Sequence, residues 1–305
     1  MKVVVTGASG FVGNHAVARL VADGHTVFGV SRYAVRDDRK VAGATYICGI
    51  DVTEPETLSS DIFGDAGAVV HLVGIIAERG GNQTFEQIHV EGTRNVVRAA
   101  EAERVGRFVY LSAIGSRPDA AAIYSRTKAV AEQTVSGSGL PYVILRPSII
   151  VGADGEFVAQ MRDLVRHGGL PVGFSVPFIP IPGSGNNLFQ PIYIDDLIEC
   201  ISRCLTDDSL LGGTIEVGGA SQISFNGLVN AFARAEGVKK PLLHAPIPLL
   251  SLVAPLVERL PNPPFTRDQL RNLQTNNITE IGPMKRAFQL EPIGFEEMMK
   301  RIYAR

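Results

Sequence analysis

The chain has 305 residues, of which 45% are hydrophobic and 20% charged, with a formal net charge of -2. That length is enough to bury a sizeable core in one large or two smaller domains. The balance excludes a disordered chain and a general polyanion binder, so nucleic acid is not an expected partner. Three cysteines, Cys48, Cys200 and Cys204, lack Cys-x-x-Cys spacing, which argues against a disulfide framework and for a reducing compartment. Cys200 and Cys204 are four apart, but no histidine or carboxylate at ligand spacing joins them. They read as small buried hydrophobes, and no metal is expected.

In chain order, the first apolar run, "KVVVT" at residues 2–6, is too short for a signal peptide, so no export is expected and the chain reads as cytoplasmic. The first half then alternates short β-branched runs with longer stretches of helical period, the sequence form of a parallel sheet with crossover helices. Strands are expected at 2–6, 26–31, 45–49, 68–73, 108–112 and 142–146, and helices at 11–22, 85–103 and 123–135. Proline and glycine crowd 168–187, which reads as a loop-rich excursion. "FQPIYIDDLIECISRCL" then predicts a strand returning to the sheet and a helix capped by Asp195 or Asp196, and "GTIEVGG" a further strand. From Ser224 onward short helices dominate. The apolar stretch 241–260 holds four prolines and a histidine, and so reads as two short packed helices or an apolar docking surface rather than a membrane span. The expected architecture is α/β: a Rossmann-type doubly wound parallel sheet at 1–150, rejoined by 188–220, with a smaller, mostly helical lobe for substrate or partner at 151–187 and 221–305.

"VVVTGASGFVGNHAVARLV" places Gly7, Gly10 and Gly13 between the first strand and the first helix. Glycine permits the tight turn, the close approach of backbone to a pyrophosphate and close helix packing, and the helix N-terminus offers free amides to phosphate. A dinucleotide is therefore the expected ligand, together with a small-molecule substrate. "YSRTK" places Tyr124 and Lys128 one helical turn apart on one face, where an ammonium can favour ionisation of a phenol that otherwise titrates near pH 10.

The Gly-x-x-Gly-x-x-Gly loop and "YSRTK" together resemble the short-chain dehydrogenase/reductase superfamily in its longer, epimerase-like form, and the order of further motifs extends the likeness over nearly the whole chain. The resemblance implies that Gly7, Ser9, Gly10, Phe11, Val12 and Gly13 hold the dinucleotide phosphates. It places Asp51 and Val52 of "GIDVT" at adenine, and Leu72, Val73 and Gly74 of "VVHLVG" beside a ribose. Pro147 and Ser148 of "LRPSIIVG" fall beside the nicotinamide, with Lys128 on its ribose and Tyr124 as acid/base. Where this family carries a Ser or Thr after the fifth strand the chain has Ala113, which leaves Ser112, one position before, or Ser116 as the substitute. Where it carries Asn in the long helix the chain has His89, expected to be a hydrogen-bonding residue supporting the cofactor site rather than a proton shuttle. Ser31, Arg32 and Arg36 after the second strand favour a 2′-phosphate, hence NADP(H) over NAD(H). "HVEGTRNVVRAA", "LSAIGS" and "PPFTRDQLRNLQTNN" are similar to the atypical members related to an accessory subunit of respiratory complex I. That likeness implies an oxidoreductase acting on a carbonyl or alcohol of an apolar or quinone-like molecule, with a nucleotide-stabilised assembly protein and a nucleotide-sugar epimerase or dehydratase as rivals. It also implies contact with the periphery of the inner membrane or with a respiratory complex.

Overall fold

The computed structural model describes residues 1–81, 83–169, 175–258 and 265–304. In chain order the first half holds β1 (Lys2–Thr6), α1 (Phe11–Ala22), β2 (Thr26–Ser31), β3 (Thr45–Cys48), α2 (Ser60–Phe63), β4 (Ala68–His71), a π-helical segment (Glu86–Glu91) running into α3 (Gly92–Ala102), β5 (Phe108–Leu111), α4 (Ile123–Ser136) and β6 (Tyr142–Pro147). There follow β7 (Ile150–Val151), α5 (Glu156–His167), β8 (Ile179–Pro182), β9 (Leu188–Phe189), β10 (Ile192–Tyr193), α6 (Ile194–Cys204) and β11 (Gly213–Val217). The last stretch contains β12 (Ile223–Ser224), α7 (Phe225–Ala235), β13 (Leu242–Ala245), α8 (Ile247–Val257), α9 (Arg267–Asn272), α10 (Ile281–Phe288) and α11 (Phe295–Tyr303).

The described residues form two compact units. The first comprises 1–147, 194–217 and 282–290. Its seven strands are all parallel in the order β11-β6-β5-β4-β1-β2-β3. Six of them reproduce the doubly wound order, which reverses direction between β1 and β4, where ligands of such sheets bind outside the carboxyl ends of the strands. Strands this deep need apolar side chains on both faces. Accordingly, Val3, Val4, Val5, Val69, Val70, Phe108 and Val109 are almost wholly buried. Val96, Val97 and Ala100 of α3 and Ala131 and Val135 of α4 pack in one core cluster with Val4, Val69 and Phe108. On α1, Arg19 pairs with Glu199 of α6 at 2.6 Å, and the Ser202 hydroxyl donates to Asp23. Cys200 and Cys204 lie buried in α6, and burial pushes both thiols up. Among the described residues no group of three or more His, Cys, Asp or Glu is placed to hold a metal ion.

The second unit comprises 148–193, 218–281 and 291–305. Its strands pair only in twos: β10 with β7, β12 with β9 and β13 with β8. The expected strand in "FQPIYIDD" therefore does not rejoin the large sheet, which takes β11 as its seventh member. Asp195 and Asp196 stand inside the first turn of α6 rather than at its cap, where they still favour the positive end of the helix. The apolar stretch after Pro241 forms one strand and one helix, because Pro255 lies late enough in α8 to be accommodated without splitting it. Residues 170–174 of the proline/glycine excursion, 259–260 of the apolar stretch and 263–264 of the last quoted motif lie outside the described residues. Among the described residues no helix is long and apolar enough to cross a membrane.

Buried Glu236 organises the second unit: Arg162 stands 3.2 Å away, Arg166 pairs with its other oxygen, and the Tyr303 hydroxyl donates at 2.6 Å. Burial raises its carboxyl, but the Tyr303 and Arg166 hydrogen bonds and both arginine charges outweigh that and hold it below the usual range. A carboxyl depressed by folding stabilises fully above its unfolded value, about 4.3, and that stabilisation fades as pH falls through the lower folded value. Glu236→Gln is therefore expected to cost about 2 kcal/mol at neutral pH. The difference from wild type should shrink on acidification below about pH 4, as measured by denaturant unfolding across pH.

Candidate dinucleotide site and the helix of Tyr124 and Lys128

At the end of β1 the chain reverses at Gly7, whose φ of +76° lies in the region that favours glycine. The Gly7 and Ala8 amides both donate to the Val30 carbonyl, at 3.0 and 3.2 Å, holding the turn against the end of β2. A Cβ on Gly7 would stand 3.1 Å from the Val73 nitrogen, and one on Gly13 only 2.1 Å from the Gly7 oxygen. The loop thus folds onto itself and onto the Leu72–Val73 backbone, and only glycine fits. Helix α1 begins at Phe11 with no side chain capping it, and Ser9 and Gly10 are exposed, so its first amides are left to another acceptor. The bare backbone, uncapped helix start and position at the β1/β4 reversal fit a pyrophosphate. Phe11 and Val12, half-buried, form the first helical positions, with the Phe11 ring edge-on to His15.

At the end of β2, Ser31 is buried and donates to the Tyr33 carbonyl at 2.8 Å. Arg32 approaches Asp51 at 3.5 Å and lies over the Tyr33 ring. Arg36 turns away to an exposed bidentate pair with Asp38. Burial raises the Asp51 carboxyl, but two hydrogen bonds from Thr53 and the Arg32 charge bring it below its ordinary value. Val52 is buried, and its carbonyl accepts from the Asn95 amide of α3 at 3.0 Å.

Lys128 is buried on α4. Its ammonium donates to the Leu111 carbonyl at 2.9 Å and lies over the Tyr110 ring. Gly74, just beyond β4, leaves room for it: a Cβ there would stand 3.2 Å from Nζ. Burial lowers the Lys128 pKa to about 8, with Glu132 one turn on pulling the other way. Glu132 is held bidentately by Arg146 of β6. Tyr124 is half-buried, with the Phe85 and His89 rings edge-on to it at 5.8 and 5.4 Å. Here the structure departs from the sequence argument. The surrounding protein pushes the phenol up to about 12 rather than toward neutrality, because burial disfavours its charged form.

Ser112 is buried, and its hydroxyl lies 3.1 Å from that of Ser116, which donates to the Ala113 carbonyl. Its hydroxyl is thus engaged along its own turn. Pro147 ends β6 and accepts from the Ile114 amide. Ser148 belongs to the second unit, where its hydroxyl lies 2.5 Å from the Asn277 side chain. His89, in the π-helical segment, is wholly buried and bridges Ile75 and Thr127. Sequence reading missed Thr127, although it lies inside "YSRTK" three residues after Tyr124. It also missed Asn95, and buried His71, which lies between the Thr6 and Thr93 hydroxyls at 2.6 and 3.1 Å. The signal for Thr127 was its position on the inward face of α4.

Comparison with known proteins bears on the family and the fold. A 2-alkyl-3-oxoalkanoate reductase of Stenotrophomonas maltophilia (strain K279a) is 28% identical over 341 residues, covering 100% of this chain and 99% of that protein. The Arabidopsis thaliana mitochondrial NADH dehydrogenase [ubiquinone] 1 alpha subcomplex subunit 9 is 25% identical, over 92% of this chain and 71% of that one. Of an uncharacterized Mycobacterium tuberculosis relative, 27% identical over 258 residues, the chain spans only 26%. The structure of UDP-glucose 4-epimerase from Thermotoga maritima superposes with a TM-score of 0.74 at 18% identity, over 100% of this chain and 98% of that one, a likeness of fold. The profile of the NAD dependent epimerase/dehydratase family matches residues 3–218. The chain belongs to that family, the extended short-chain dehydrogenases/reductases.

Proposed function

We propose that the chain is an NADP(H)-dependent reductase of the short-chain type, acting on the ketone of an apolar small molecule. The observation that carries this reading is α4, which brings half-buried Tyr124 and buried Lys128 to the carboxyl ends of β4 and β5, the latter fixed to Leu111 beside Gly74. The dinucleotide, when bound, supplies hydride. The chain supplies the proton: Tyr124 gives its phenolic hydrogen to the carbonyl oxygen as the carbon receives hydride, and regains it from solvent. A phenol pushed up to about 12 is protonated at neutral pH, as a proton donor must be. The Lys128 ammonium stabilises the phenolate left behind. Ser112, tied to Ser116, is the weak member, able to orient substrate only by exchanging that partner.

The S. maltophilia relative's name supports an alkyl-bearing 3-oxo acid as the substrate class. NADPH consumption with a 2-alkyl-3-oxoalkanoate tests the reading; no consumption above the protein-free rate counts against it. For cofactor choice, Arg32 supplies the cation for a 2′-phosphate, leaving Asp51 to do so. Arg32→Ala should weaken NADPH binding by roughly 10- to 100-fold and NADH binding little, by calorimetry. Equal losses for both would assign Arg32 to the adenine or to Asp51 alone.

A second reading, a nucleotide-stabilised assembly protein, draws on Ala113 standing where the resemblance expects a hydroxyl, and on the similarity to the Arabidopsis subunit. Bound NADPH that keeps its absorbance through long incubation with 3-oxo acids and quinones would favour it. In that case α8, with Leu249, Leu252, Val253 and Leu256 exposed at helical spacing, is the surface for a membrane or respiratory-complex partner.

A further inference from the structure

We infer that His89 is a positioning residue: a neutral imidazole protonated on Nδ1 that clamps the helix carrying Tyr124 and Lys128 to the loop after β4. Its effect on turnover rests on the reading of Tyr124 and Lys128 above.

The hydrogen-bond count selects the tautomer. His89 Nδ1 lies 3.0 Å from the Thr127 hydroxyl, and Nε2 lies 3.1 Å from both the amide and the carbonyl of Ile75. Thr127 has one hydroxyl hydrogen, and the Ile123 and Tyr124 carbonyls stand ready to accept it at 3.0 Å. With the ring proton on Nδ1, that N–H donates to the Thr127 oxygen, the Thr127 hydroxyl donates down its own helix, and bare Nε2 accepts the Ile75 amide. All three donors are served. With the proton on Nε2, Thr127 must turn its hydrogen to Nδ1 and the Ile75 amide loses its acceptor; an orphaned N–H is rarer than an under-used carbonyl. The imidazolium is disfavoured by burial and by the Lys128 charge, which place the ring's pKa near 2. Phe85 stacks on the ring's face, Tyr124 meets it edge-on, and a Cβ on Gly74 would stand in ordinary contact with His89 Nε2, at 3.6 Å, and tight against Lys128 Nζ, at 3.2 Å. His89 therefore fixes where Tyr124 and Thr127 sit relative to the loop that borders Lys128. The π-helical segment that holds it is the kind of local widening found at functional sites.

The test uses full-length protein labelled with ¹⁵N-histidine, the His89 signals being identified by their loss in His89→Asn. Expected is one protonated nitrogen, Nδ1, and one bare nitrogen, Nε2, unchanged between about pH 5 and 9. A titrating ring or the opposite tautomer overturns the inference, whether or not the protein reduces anything. In kinetics with NADPH and a 2-alkyl-3-oxoalkanoate, His89→Leu should lower kcat roughly 100-fold, the scale of about 1 Å of misplacement, with the NADPH Kd within about threefold. His89→Asn, whose amide can still donate to Thr127, should recover most of that loss. Thr127→Val, which removes the acceptor from the other side, should resemble His89→Leu and keeps the test open if that variant does not fold. Equal kcat in all three variants and wild type overturns the positioning role; wild type inactive with the expected nitrogen signature leaves the clamp standing and removes the reductase reading.

Discussion

Gly13→Ala should cost about 3 kcal/mol of stability and abolish dinucleotide binding. The added methyl would stand 2.1 Å from the Gly7 oxygen and 2.8 Å from the Ala8 Cα. No rotamer change relieves this, because the atoms met are backbone, so α1 must move off the loop or the loop off α1. Either shift breaks the seat of Gly7 and Ala8 on the Val30 carbonyl and re-aims the first amides of the helix. The matched control is Gly139→Ala, where nothing lies within 4 Å of the added methyl and the melting temperature should barely change. Thermal unfolding of both variants, with NADPH titration of each, makes the check. A Gly13→Ala protein that melts and binds like wild type would mean that the loop relaxes and that the close approach does not set the site.

Tyr124→Phe should lower turnover about 10²- to 10⁴-fold, the range for a positioned general acid, and leave NADPH affinity nearly unchanged. The substitution removes one oxygen from a ring whose contacts with Phe85 and His89 are through its edge and faces, so packing is kept. The wild-type pH profile carries the companion signature. Lys128 is depressed by burial to about 8, so its charge is present below that value and lost as pH rises through it. The phenolate left by proton transfer then loses its nearest cation, and kcat for reduction should fall above about pH 8. Unchanged turnover in Tyr124→Phe would take Tyr124 out of the mechanism and move attention to the assembly reading.

The parallel sheet was legible because its strands are short β-branched runs bounded by glycine, and every one predicted in the first half lies within a residue or two of its place. The glycine loop was legible because its demand is steric and local. What escaped was set by tertiary context. The π-helical widening around His89 has the same residues as an ordinary helix start. The pairing of β10 with β7 depends on which edge is free, not on its own apolar pattern. The phenol's upward shift could not be read from the Tyr-x-x-x-Lys spacing, since spacing reports proximity of charge while burial, unseen in one dimension, dominates. Ser112 shows the same limit: its identity suggested a substrate contact, but Ser116, four residues on, takes its hydroxyl.

The edge strand β11 has a consequence for how the chain reaches this state. It pairs with β6, yet the whole of 148–193 and helix α6 are made between them, and α10, with buried Met284 and Phe288, comes later still. During synthesis β6 therefore waits with one side of its backbone unpaired, and closing that gap charges the entropy of a long loop before any contact repays it. An open, apolar strand edge is a template for another nascent copy. Arg146 and Glu216, the charged pair facing each other across β6 and β11, stand on that edge. A charge on the waiting strand discourages intermolecular pairing, so replacing Arg146 by an apolar residue should reveal itself as aggregation during refolding, together with a loss of native stability because buried Glu132 loses its bidentate partner.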